Sequence, residues 1–175
     1  MFLLLLSLFF SSCLTDINEI NNLTKNNNEP FEIIENVELY YSDSAVLKVK
    51  LLAPIIERFS GNRNEIVFPG GINVSFYSEG TNIQSTLQAN YAIKKTETDI
   101  TEIKENVILK NSKGEQLNTE HLIWDENNSI LKSNEEVTIT TQKEIIKGTG
   151  FEANQEFNSY KINNITGTII LNEDK

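Results

Sequence analysis

The chain holds one cysteine, Cys13, and one histidine, His121, the first side chains to ask for chemistry. Together they cannot supply the ligand set of a structural zinc site, and a lone cysteine closes no internal disulfide. His121 sits between Glu120 and Leu122 with no serine or cysteine nucleophile motif to serve, so it reads as a solvent-facing strand histidine. Carboxylates are plentiful, but two acids at glycosidase spacing arise readily on any acidic β-surface. Pro69-Gly70-Gly71 lacks the Lys-Ser/Thr and the helix that a phosphate-cradling loop needs. No catalytic residue, metal or cofactor is expected, and the chain reads as non-enzymatic.

Cys13 has a different kind of context. Residues 2–10 form an apolar run about half the roughly 20 residues required to cross a bilayer, followed by Ser11-Ser12. That is the pattern of a signal peptide over residues 1–12. Phe10-Ser11-Ser12-Cys13 resembles a bacterial lipobox, in which the signal is removed and the cysteine sulfur takes a diacylglyceryl group. The stretch departs from the motif in having Phe10 and in lacking Lys or Arg before the apolar run. Lipidation at Cys13 is the expectation, with a free buried thiol as the alternative; several acyl chains would anchor the chain stably to a membrane. Residues 13–35, polar and rich in Asn with Pro30 near the end, then read as a flexible tether, and residues 36–175 as one domain.

The residues left to build that domain decide its class. Twenty-five Asp and Glu against 15 Lys and Arg leave a net charge of −10, with no block of basic residues, which argues against a nucleic-acid partner. Alternation of period two recurs at 46–51, 72–76, 107–109, 137–140 and 168–171, separated by turn residues at 69–71, 79–82, 111–114, 125–128 and 158–159. Only Asp99 to Glu105 could offer a helical turn. The expectation is all-β and antiparallel.

The strands also repeat. Leu87, Leu117 and Ile146 head similar segments, at spacings of 117 − 87 = 30 and 146 − 117 = 29. Val107, Val137 and Ile165 open the strands between, at 137 − 107 = 30 and 165 − 137 = 28. Two interleaved series with one period suggest stacked layers whose inward positions line one surface. Those positions are Leu87, Ala89, Val107, Leu109, Leu117, Leu122, Trp124, Val137, Ile139, Phe151 and Ile165. They can form a long apolar trough or pack on one another as a sandwich core.

Ala45-Val46-Leu47-Lys48-Val49-Lys50-Leu51-Leu52-Ala53-Pro54, the string LNTEHLIWD at 117–125, Ser133 before Glu136-Val137, and GTGFEAN at 148–154 resemble the LptC family. The similarity covers most of residues 36–170. It implies an open antiparallel β-jellyroll, a V-shaped stack of the OstA/LptA type, at the periplasmic face of the inner membrane. It further implies that lipopolysaccharide passes its acyl chains from the ABC transporter of the inner membrane into the groove and onward to the LptA bridge protein. The partner edges implied are Val37, Leu39 and Tyr41 toward the transporter's jellyroll subunit, and Ile165, Ile169 and Leu171 toward LptA. Many members anchor through an N-terminal transmembrane helix, whereas this chain offers a lipid on Cys13, which leaves open which membrane holds it. A surface or periplasmic β-sandwich lipoprotein that binds protein or glycan, and an LptA-like lipid shuttle, remain alternatives.

Overall fold

The computed structural model describes residues 29–78 and 82–171. Cys13, the apolar run before it and most of the expected tether lie outside the described residues. Eleven strands follow one another: β1 (Glu32–Asp43), β2 (Val46–Phe59), β3 (Glu65–Phe68), β4 (Ile72–Tyr77), β5 (Ile83–Ala89), β6 (Tyr91–Lys95), β7 (Ile100–Asn111), β8 (Gln116–Asp125), β9 (Ile130–Thr140), β10 (Glu144–Asn154) and β11 (Tyr160–Ile170). β1 starts at Glu32, so the first strand already takes up the end of the segment read as tether.

Every pairing is antiparallel, and the order β11-β10-β9-β8-β7-β5-β4-β2-β3-β6, with β1 added on β2, makes one sheet. The long strands serve two neighbourhoods. β2 pairs with β4 through Val49–Leu52 and with β3 through Glu57–Phe59. β7 pairs with β6 through Ile100–Lys104 and with β5 through Ile108–Asn111. Two bridges, β4–β5 and β3–β6, therefore link the same two strands from opposite ends, and the sheet folds over on itself into two facing halves.

The fold line is written in the backbone. Asn36 (φ 53) interrupts β1, Glu105 and Asn106 (φ 65 and 52) interrupt β7, and Gly150 (φ 80) interrupts β10. The registers of β7–β8, β8–β9 and β9–β10 all shift at this level, at Lys104/Val107, Thr119/Ile123 and Thr149/Phe151. Bulges add twist and bend a strand, so a row of them turns a flat ribbon into a V. They also explain why Asp99–Glu105 resembles a helical turn in sequence. Ile100–Lys104 is a strand whose inward residues are Thr101 and Ile103, the former hydrogen-bonded to Glu126 at 2.7 Å, and the bulge at Glu105-Asn106 breaks the alternation.

The 30-residue repeat has a direct structural meaning. One rung of neighbouring Cα partners runs Leu51, Val74, Leu87, Leu109, Leu117, Ile139 and Ile146, and so contains the first series. Another runs Val107, Thr119, Val137, Gly148 and Ile165, and contains the second. A hairpin of two strands advances the stack by one period, and each hairpin renews both rungs.

Candidate functional site

Ten of the eleven positions expected to face inward are buried: Leu87, Ala89, Val107, Leu109, Leu117, Leu122, Trp124, Val137, Ile139 and Phe151. They form a single apolar cluster with Ile56, Phe68, Val74, Phe76, Ile103 and Leu131, contributed by both halves of the sheet. Phe76 of β4 and Trp124 of β8 meet edge to face across this interior, with ring centroids 5.2 Å apart. The trough is thus closed by its own side chains, in the manner of a packed sandwich. Apolar burial of this extent is the main stabilising force of the domain.

Ile165 is the exception. It is 62% exposed, because β11 is the last strand of the sheet and no further layer covers it. Its neighbour on β10 is Gly148, where a register shift at Lys147/Gly148 lets the two backbones approach closely. A Cβ on Gly148 would stand 2.5 Å from the Asn164 carbonyl oxygen and 2.6 Å from Ile162 Cγ2.

The two outermost strands carry the partner-edge residues. On β1, Leu39 and Tyr41 are exposed together with Ile33 and Tyr40, while Val37 is partly buried against the core. On β11, Ile169 and Ile170 are exposed with Ile165, and Leu171 follows directly. β1 bonds only to β2 and β11 only to β10, so each leaves one backbone edge free among the described residues. A free edge with exposed apolar side chains is a template for an added strand.

Two clefts open along the fold line. One, about 500 Å³, is lined by Val37, Leu52, Pro54, Gly70, Ile72 and Ala89, where the core reaches the surface beside β1. The other, about 490 Å³, is lined by His121, Lys104, Glu102, Glu105, Glu120 and Glu135. His121 is therefore not the solvent-facing residue expected from its strand position: it is half-buried, and its Nε2 lies out of water with no hydrogen-bond partner in the protein. Glu102 accepts bonds from Lys104 and Lys95, which hold its carboxyl down at about 2. Among the described residues no group of His, Cys, Asp and Glu is arranged to hold a metal ion, and no helix is long and apolar enough to cross a membrane.

The family model described as "Lipopolysaccharide-assembly, LptC-related" matches residues 1–169. The chain belongs to the LptC-related family. Its single folded sheet of antiparallel strands agrees with the jellyroll of LptC-related proteins. This family is a non-enzymatic component of lipopolysaccharide transport, associated with the periplasm and the inner membrane and with the other parts of the transporter. No curated protein matches the sequence.

Proposed function

We propose that this LptC-related chain carries lipopolysaccharide by its acyl chains between the two halves of the sheet. It accepts the lipid at the β1 edge from the jellyroll subunit of the inner-membrane transporter and passes it at the β11 edge to an LptA-type bridge protein. The observation that carries this reading is the pair of free, apolar edges on strands at opposite ends of one continuous core. Strand addition at both edges would extend that core into a neighbour on each side, a continuous apolar path. Transfer gains about 0.8 kcal/mol for each CH₂ buried, enough to hold acyl chains out of water yet release them at the ends. Repulsion between a chain at −10 and lipid phosphates keeps the head groups in solvent. Cys13, acylated, is the proposed anchor, holding the domain at the inner membrane.

The packed interior favours a second reading, a filled β-sandwich lipoprotein whose surface binds protein or glycan. Site-specific photocrosslinking in cells separates the two. A photoreactive residue at Leu109, Leu122 or Phe151 should yield lipopolysaccharide adducts and one at the outward-facing Lys110 should not; absence of adducts at all sites, with normal expression, rejects the carrier.

A further inference from the structure

The mouth of the V, opposite the fold line, is not left open. Ser85 and Asn111 are Cα partners on β5 and β7, each two residues beyond the inward Leu87 and Leu109, and both are buried. They are the polar rim of one half of the interior. The connection between β10 and β11, rooted in the other half, crosses to them. Ser85 Oγ donates to the Gln155 carbonyl at 2.5 Å, and Asn111 Nδ2 donates to the Phe157 carbonyl at 2.8 Å. The Gln155 amide donates to the Ser129 carbonyl of the β8–β9 turn at 3.1 Å, so the segment spans rim to rim.

Between those two bonds Phe157 turns into the core. It is fully buried, packed on Phe151 and Tyr160 at centroid distances of 5.9 and 5.3 Å. Its φ of 51 is a backbone state that a bulky side chain avoids unless its surroundings impose it. Strain of this kind, together with two side-chain bonds to backbone carbonyls and one apolar plug, describes a closure held by few contacts. Elsewhere the halves are joined by continuous sheet and by the packed core between them, the Phe76–Trp124 contact included.

We infer that residues 155–159 form a strap across the mouth, that Phe157 occupies the space an acyl chain takes, and that lifting the strap admits the lipid sideways. This rests on the carrier reading above. Opening exposes Ser85 and Asn111 to water, which satisfies them, and an acyl chain replaces the apolar contacts that Phe157 gives up. The closed form is then dominant when empty, and the lipid selects the open one.

The test uses the full chain with a photoreactive residue at Leu109 and a cysteine pair, Ser85→Cys with Gln155→Cys, each single variant serving as control. With the pair oxidised, lipopolysaccharide adducts at Leu109 should fall about tenfold or more, since loading scales with the open population, and reductant should restore them. Equal adducts in the oxidised and reduced states would overturn the strap. No adducts in wild type or in the reduced pair would instead overturn the carrier reading itself. A measurement that needs no disulfide is the adduct yield of Asn111→Ala and Phe157→Gly. Both loosen the strap and should load severalfold more than wild type; unchanged yields in folded variants also overturn the proposal.

Discussion

Phe76 and Trp124 stand edge to face at 5.2 Å, their ring planes 86° apart, and they belong to strands that share no hydrogen bond. The contact ties one half of the folded sheet to the other through side chains alone. Edge-to-face pairs contribute about 0.5–1.5 kcal/mol beyond the area they bury. A double-mutant cycle of Phe76→Ala and Trp124→Ala in urea should therefore show coupling of that size, with each single change costing roughly 3–5 kcal/mol. Additive losses would mean that the halves are held together elsewhere.

Trp124→Asp goes further, since it places a charge in an apolar interior with no partner. The variant should lose lipid loading or fail to fold. Wild-type thermal stability together with normal lipopolysaccharide export in that variant would contradict an interior role for residue 124.

Gly71 turns the chain from β3 into β4 with φ +82, and a Cβ there would lie 2.3 Å from the Ala89 carbonyl oxygen. No flexible side chain can yield to it. Gly71→Ala should cost on the order of 1–3 kcal/mol, from the positive φ and the backbone clash together. Gly114 shares that φ with open space around it, so Gly114→Ala should cost less; chemical denaturation of both variants tests the ranking.

Removing residues 165–175 takes away half of β11 and the proposed receiving edge. The core strands β2 to β10 keep their pairings, so the domain should remain folded by circular dichroism. Capture of an LptA-type partner in a pull-down should weaken. An undiminished pull-down places the receiving surface elsewhere.

Glu102, held at about 2 by Lys104 and Lys95 against an ordinary 4.5, links the fold to pH. A carboxylate whose pKa is lowered on folding stabilises the native state above its unfolded pKa. That stability is lost as pH falls from about 4.5 through about 2. Unfolding free energy measured across this window should fall less steeply in Glu102→Gln than in wild type, and parallel curves would remove Glu102 from the acid response.

The alternation of apolar and polar residues determined the all-β class, because a period of two places a face against a core wherever the strand lies. It also determined ten of the eleven inward positions, and the interval near 30 residues reported the hairpin repeat, since each hairpin must supply the same two rungs. What alternation could not reveal is where a strand stops serving one half of the sheet and begins serving the other. That is decided around the positive-φ residues Asn36, Glu105, Asn106 and Gly150, the last three of them at register shifts between neighbouring strands. For the same reason Asp99–Glu105 looked helical, and His121 looked exposed until the fold line enclosed it. Ile165 has the pattern of a core residue but lies on the last strand, and burial needs a covering layer that a strand's own sequence does not contain. The strap is the furthest from sequence. Phe157 lies in a polar turn, and only the tertiary structure brings Ser85 to Gln155, 70 residues on, and Asn111 to Phe157, 46 residues on, to hold the strap in place.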